Sequence, residues 1–187
     1  MKNLIKVCLL REQVSNRTSG IEPLRGGVYC WWFKREAAQT LLAKLPLTQE
    51  ELAKIQAREI EGESYLALYF GISKDMLARA KWHTLQKHSP SAVKHGTLST
   101  LRQTISALLG EDMSQSEGTV NEFIDSNCYW EWEYDESYKL REIDELSSTT
   151  KCYPLNIQEN KTVTKEVRKE LSKLRKQHKN NLKLSEL

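Results

Sequence analysis

No apolar run in this 187-residue sequence approaches the roughly 20 residues that a membrane-spanning helix requires, so the sequence is not that of a helical integral membrane protein. Met1 to Leu10 alternates lysines with apolar residues, but the apolar part is too short for a secretory leader and carries no small-residue cleavage site. That segment is expected to form a first strand or helix. Cysteine is sparse, and Cys8, Cys30, Cys128 and Cys152 are scattered, with no Cys-x-x-Cys pair and no paired-histidine spacing. Neither a zinc centre nor a disulfide framework finds support in that pattern, and reduced thiols in a cytoplasmic protein are the simple account. A zinc finger and a recognition helix are both lacking, so nothing names a nucleic-acid target.

What is present suits one soluble domain with appendages, at 39% hydrophobic and 28% charged residues. The net charge of +3 is unevenly spread: residues 161–187 hold nine Lys or Arg against three Glu, leaving −3 on residues 1–160. A basic tail on a slightly acidic body reads equally as a phosphate-backbone contact or as a solvated terminal helix.

Residues 65–72 are apolar and aromatic almost without a break, which suits a strand buried on both faces. Ser73 is placed to cap a helix running from Lys74 to about His88, with Asp75 in its first turn. Arg79 and His83, four residues apart, share one face of it and can act on the same phosphate. Upstream, a polar loop over 11–25 leads into Gly26-Gly27 and a second aromatic strand, Val28 to Phe33. Between these strands lies a stretch of helical character. Lys34 to Leu45 has helical spacing and ends at Pro46, and Thr48 with Glu51 forms a capping box opening a helix to about Glu61. Further on, Leu98, Leu101, Ile105, Leu108 and Leu109 mark an amphipathic helix stopped by Gly110, and Arg102 on it is expected at the exposed surface. Val120, Phe123 and Ile124 suggest a short helix. Tyr129 to Tyr134 alternates aromatic and acidic residues as a half-buried strand does, with Glu131 and Glu133 expected in solvent. A helix over 136–147 should turn Leu140, Ile143 and Leu146 inward beside Glu142.

A strand opening on Gly27-Val28-Tyr29, a Tyr-Phe-Gly strand holding Tyr69 and Gly71, and a helix arginine ten residues beyond Tyr69 together resemble the GIY-YIG nuclease family. His83, one turn after Arg79, matches a histidine present in some members, and Glu142 followed by Pro154-Leu155-Asn156 resembles the family's last motif. The resemblance covers about residues 25–158. Its largest departure from the family is that 39 residues separate Tyr29 from Tyr69 where a short hairpin is usual. It implies an α/β (α+β) fold with a small, mainly antiparallel three-stranded central sheet flanked by helices. This organisation places the nuclease-like domain in residues 1–160, with a helical insertion at about 34–62, and a basic helical tail in residues 161–187.

The activity so implied is metal-dependent endonucleolytic cleavage of DNA. Hydrolysis of a phosphodiester needs a positioned water, stabilisation of charge on the phosphoryl oxygens and help for the leaving oxygen. By resemblance, Tyr29 and Tyr69 position or deprotonate the water, and His83 assists as base or phosphate contact. Arg79 is suited to a bidentate clamp on the phosphate. Glu142 is the candidate ligand for Mg²⁺ or Mn²⁺, because Mg²⁺ keeps several waters and needs few protein oxygens. Lys74, Arg102 and Asn156 are candidates for substrate contact, with Asn156 also suited to bracing the site, while Gly27 and Gly71 are structural, Gly71 permitting close strand–helix packing. Two other readings stay open, a non-catalytic nucleic-acid-binding module of the same fold and a protein-interaction domain that dimerises. Cutting both strands would need two active sites, from a homodimer or from two visits, and the residues favour neither.

Overall fold

The structure, a computed structural model, describes residues 2–180; residues 181–187 of the expected tail lie outside them. The N-terminal segment is both strand and helix, β1 (Asn3–Lys6) running straight into α1 (Val7–Ser15), so the first turns of the expected 11–25 loop are helical. Then follow β2 (Gly27–Lys34), α2 (Arg35–Leu42), α3 (Gln49–Ala53), β3 (Ala57–Ile60) and β4 (Glu63–Ser73). The second half holds α4 (Met76–Leu85), α5 (Pro90–Lys94), α6 (Thr100–Leu109), α7 (Glu117–Asn127), β5 (Cys128–Tyr134), α8 (Tyr138–Leu146) and α9 (Lys165–Asn180). The strands form one antiparallel sheet in the order β1-β5-β2-β4-β3. The expected three strands are its centre, and β1 and β3 widen it to five.

β3 replaces the second half of an expected helix. Thr48 and Glu51 do form the capping box, the Thr48 hydroxyl accepting from the Glu51 amide and the Glu51 carboxylate from the Thr48 amide. The helix nevertheless stops at Ala53. Glu61 and Gly62 both take positive φ (52° and 81°), the backbone of a two-residue turn whose twist matches an antiparallel hairpin. That turn folds 57–60 back onto β4, Ile60 opposite Glu63. β2 and β4 still pair directly, Gly27 opposite Ser73 through Lys34 opposite Tyr65, so the 39-residue separation leaves the central pairing intact.

The sheet is buried on both faces. On β2, Tyr29, Trp31 and Phe33 enter the larger core with α1, α2, α6 and α7, while Val28, Cys30 and Trp32 enter a smaller one with Tyr153 and Leu146. β4 breaks this alternation once. Trp31 is opposite Tyr69 but Trp32 is opposite Ala67, leaving Leu68 as a bulged extra residue. Leu66, Leu68 and Tyr69 all lie on the larger-core side, and Phe70 crosses to the other. A bulge re-aims the side chains that follow it. Here it turns Tyr69 onto the face that carries Tyr29.

Beyond β3, the remaining edge of β4 would expose unpaired backbone groups. The Pro154-Leu155-Asn156 turn covers it. The Leu155 amide donates to the Leu68 carbonyl (3.0 Å). The Asn156 carboxamide then stands in for a strand, Oδ1 accepting from the Phe70 amide (2.9 Å) and Nδ2 donating to the Phe70 carbonyl (2.7 Å). Asn160 donates to the carbonyls of Tyr153 and Asn156 and so fixes the turn.

Several burial expectations change. Glu131 is buried, its carboxylate held by the Trp32 indole (3.1 Å) and Arg58 of β3 (2.9 Å); β3, unforeseen, supplies that cation. On α8 only Leu146 is buried, while Leu140 and Ile143 are 64% and 62% exposed. α8 packs against β2 and β4 by one narrow edge, and Leu140 and Ile143 face outward. α9 lies on α6, with Val167 and Leu171 buried in the larger core. Among the described residues no helix is long and apolar enough to cross a membrane.

Candidate active site

Tyr29 and Tyr69 come from paired strands and lie on one face of the sheet, ring centroids 6.3 Å apart. Tyr29 is opposite Gly71, and a Cβ on Gly71 would sit 2.4 Å from the Tyr29 hydroxyl oxygen. The glycine therefore makes room for the tyrosine ring between strands, which corrects the expected strand–helix role. Gly27 is needed for a similar reason against β5: a Cβ there would meet the Glu133 carbonyl oxygen at 2.2 Å. The Tyr69 hydroxyl meets the Thr100 hydroxyl at the start of α6 (3.1 Å). Burial above all, with the neighbouring Tyr69 second, pushes the Tyr29 phenol well above its ordinary value, so Tyr29 is neutral at physiological pH.

α4 begins two residues later than its sequence implies. Asp75, not Ser73, is the cap, accepting from the Ala78 amide (2.9 Å), and the helix ends at Leu85. The Ser73 hydroxyl closes the preceding turn on Asp75. Arg79 and His83 share a face as expected, at different depths. His83 is buried, and its Nε2 meets the Tyr29 hydroxyl (2.9 Å) while its Nδ1 meets the Ser99 hydroxyl (2.8 Å). Burial, reinforced by the charges of Arg79 and Arg102, holds it well below the usual histidine range, and it is neutral. Arg79 lies at the cleft, its guanidinium 4.4 Å from the Trp82 ring centroid and 6.0 Å from that of Tyr29. Trp82 is itself fixed by its indole N–H on the Thr97 carbonyl (3.2 Å). Among the described residues Arg79 donates no hydrogen bond, so its fork stays free for a ligand.

Arg102 is not at the surface. It is 1% exposed, and it donates to His88 Nε2 (2.8 Å), the His83 carbonyl (3.0 Å) and Asn121 Oδ1 (2.7 Å). Its donors thus fasten the backbone of His83 and do not reach a substrate. Because His88 Nε2 accepts from Arg102, its proton is on Nδ1, directed at the Met113 carbonyl (3.0 Å). Burial and the Arg102 charge push His88 down to about 4.

Glu142, on the buried edge of α8, lines the same cleft of about 480 Å³ as Tyr29, Tyr69, Gly71 and Arg79. Burial raises its carboxyl above the usual value, opposed by the positive charge of Arg79. Among the described residues it accepts no hydrogen bond, and no cluster of three or more His, Cys, Asp or Glu could form an all-protein cage. One carboxylate without a hydrogen-bond partner in a cleft of this volume fits a cation that retains its waters and takes substrate oxygens, as Mg²⁺ does. Asn156 lines the cleft, but its carboxamide is committed to Phe70, so it braces β4. Lys74 is exposed and is not part of the cleft lining.

The basic charge of residues 161–187 signals a candidate phosphate contact, but nothing in the local sequence shows that this segment forms the cleft's far wall. α9 contributes Ser172, Arg175, Lys176 and Lys179, and α6 contributes Gln103. Gln103 Nε2 donates to the Leu98 carbonyl, leaving Oε1 to accept from Arg175 (2.9 Å). The two partners are 72 residues apart, beyond the reach of any periodicity. Trp82, by contrast, stands three residues from Arg79 and could have been found on helical spacing.

A family model described as the GIY-YIG catalytic domain matches residues 27–177. Neither a search of curated proteins nor one of solved structures returned a match.

Proposed function

The chain belongs to the GIY-YIG family, whose domain is of nuclease type, and from that premise we propose that it is a metal-dependent endonuclease hydrolysing phosphodiester bonds in DNA at the Tyr29–Arg79–Glu142 cleft. The supporting observation is convergence. Tyr29, Tyr69, Arg79 and Glu142 come from β2, β4, α4 and α8, yet all line one cleft with Arg79 and Glu142 free of hydrogen bonds to described residues.

In this reading Arg79 takes two non-bridging oxygens of the scissile phosphate in a bidentate clamp, which stabilises the charge that grows there. The Tyr29 hydroxyl accepts a hydrogen bond from the attacking water and aims its lone pair at phosphorus. As the new P–O bond forms and the bond to the leaving oxygen breaks, the water proton passes to Tyr29 while the phenolic proton passes to His83 Nε2. In this reading Nδ1 keeps its proton and donates a hydrogen bond to the Ser99 hydroxyl, the tautomer that leaves Nε2 open. Tyr69, tied to Thr100, flanks the water on its other side. Glu142 would hold a Mg²⁺ or Mn²⁺ ion, which supplies Lewis-acid stabilisation of the phosphate and the leaving group when bound. Arg102 positions His83 through its carbonyl.

Nicking of supercoiled plasmid with Mg²⁺ or Mn²⁺, run beside Glu142→Ala, Arg79→Ala and Tyr29→Phe, tests this. Metal-dependent nicking that falls at least tenfold in each variant, about 1.4 kcal/mol in the barrier, is expected. Undiminished nicking in all three would place the chemistry elsewhere. Salt-sensitive DNA binding without nicking would leave a non-catalytic binding module.

A further inference from the structure

α9 is amphipathic in an unusual way: one side is buried core and the other forms two adjoining concave surfaces. Val167 and Leu171 enter the core. Ser172, Arg175, Lys176 and Lys179 line the catalytic cleft, and Ser172 and Lys176 also line a second groove that continues past Lys165, Arg168 and Lys169. The two depressions are therefore one track along the helix. Among the described residues no carboxylate lines the groove, and Glu142 is the one carboxylate in the cleft. Of the lysines there, Lys173 is partly neutralised by Glu170 (3.2 Å). Lys165, Lys169, Lys176 and Lys179 form no ion pair with a described residue. From Lys165 to Lys179 the helix advances about 21 Å at 1.5 Å per residue, the length of about six base pairs at 3.4 Å each.

We propose that α9 is the flanking-strand binding site of this nuclease: Arg175, pre-set by Gln103, takes a phosphate beside the scissile one, and Lys176, Lys179 and Lys169 neutralise phosphates of the same DNA strand as it leaves the cleft. The occupant follows from charge and shape. An elongated groove whose charged lining residues are all cationic, opening into a phosphate-cutting cleft, fits a polyanion whose charges repeat at short, regular intervals. Arg175 differs from the lysines in being pre-oriented. The Gln103 amide is locked by its bond to Leu98, so one guanidinium nitrogen is held and the remaining donors are presented at a fixed angle to the cleft. The inference rests on the nuclease reading, and its test separates the two.

DNA binding is measured by fluorescence anisotropy with a labelled duplex of about two helical turns, in a Glu142→Ala background that does not cut, over a series of salt concentrations. The variant is Lys169→Ala/Lys176→Ala/Lys179→Ala, with Lys2→Ala/Arg17→Ala/Lys44→Ala as a control that removes equal charge from exposed positions elsewhere. Each phosphate that the protein no longer neutralises makes the slope of log affinity on log salt shallower by about 0.9. The α9 variant is expected to bind at least tenfold more weakly near 100 mM salt, with a slope shallower by about 2 to 3. With Glu142 restored, its KM for plasmid nicking should rise in proportion to the weakened binding. The control should bind within about threefold of the parent. Equal affinity and slope in the two triple variants would overturn the inference and leave the nuclease reading standing. α9-dependent binding by a wild type that never nicks would support the inference and sink the reading. No binding at all would overturn both.

Discussion

Replacing Gly71 with alanine asks whether the placement of the Tyr29 hydroxyl, and not the mere presence of a phenol, carries the chemistry. The new Cβ would lie 2.4 Å from that oxygen and 2.5 Å from the ring carbon bearing it, where ordinary carbon contacts begin at about 3.5 Å. Roughly 1 Å of movement is therefore required. Tyr29 has nowhere easy to go: it is 2% exposed and hemmed by His83 and Trp130, centroids 5.2 and 5.9 Å away. Any shift large enough to relieve the clash lengthens its 2.9 Å bond to His83. Overpacking of this kind costs about 1–3 kcal/mol. At 2–4 °C per kcal/mol for a domain of this size, Tm should fall by about 2–12 °C and leave a folded protein. Misplacing a catalytic group by about 1 Å can slow the reaction about 100-fold. Plasmid nicking at saturating substrate, read beside scanning calorimetry, should show both effects. A Gly71→Ala protein with the lowered Tm but the wild-type rate would refute the claim that Tyr29 works through its position.

Arg79→Lys should nick nearly as poorly as Arg79→Ala, each about 100- to 1,000-fold below wild type, since a point charge cannot reproduce a two-pronged donor; single-turnover rates check this, and a lysine variant with most of the activity would refute the clamp. The nicking rate should fall on acidification above pH 4.5, because the Glu142 carboxyl is raised by burial and must be ionised to hold a cation; no second step is expected near pH 6.5, because His83 is already neutral there. His88 binds its proton only near pH 4 when folded but near 6.5 when unfolded, so the stability it lends is complete above about pH 6.5 and is lost as pH falls toward 4. Over that window the loss reaches about 3 kcal/mol, and urea unfolding of His88→Gln, whose carboxamide can still accept from Arg102, should lack that portion of the pH dependence. Asn156→Leu removes both bonds to the Phe70 backbone, which should cost about 1–3 kcal/mol and speed hydrogen exchange at the Phe70 amide; unchanged exchange would show that the edge of β4 is satisfied otherwise.

Much of the site is legible in the sequence because its parts are local. Tyr29 and Tyr69 sit in aromatic runs that read as strands, and Arg79 and His83 are one helical turn apart. What escapes the sequence is what depends on partners distant in the chain. Nothing near Arg102 shows that His88 and Asn121 will enclose it, and an arginine on a helix is exposed more often than not. A solvent-exposed Glu131 is the natural expectation when β3, which brings Arg58, reads as helix; the true capping box at Thr48 argues for that helix, and the Glu61-Gly62 turn that ends it carries its signal in backbone angles. Leu140 and Ile143 have core-like spacing with Leu146, but α8 is seated by its Glu142 edge, and periodicity does not say how wide a seat will be. The five-stranded sheet is under-counted because its outer strands are four residues each, too short to show a period.

The bulge at Leu68 makes β4 a strand in two phases. Upstream of it the alternation answers to Phe33, α2 and the β3 hairpin; downstream it answers to Tyr29 and the cleft. The downstream phase is set independently by pairing with β2 on one side and by the Asn156 carboxamide on the other. The hairpin can therefore vary in length at Glu61-Gly62 without rotating Tyr69 out of the cleft. Deleting the single residue Leu68 would force the two halves into one phase. Either Tyr69 would turn away from Tyr29, or the hairpin would turn its apolar residues into solvent. The chain can thus carry a lengthy insertion between its two tyrosines because the insertion is insulated from them by one out-of-step residue.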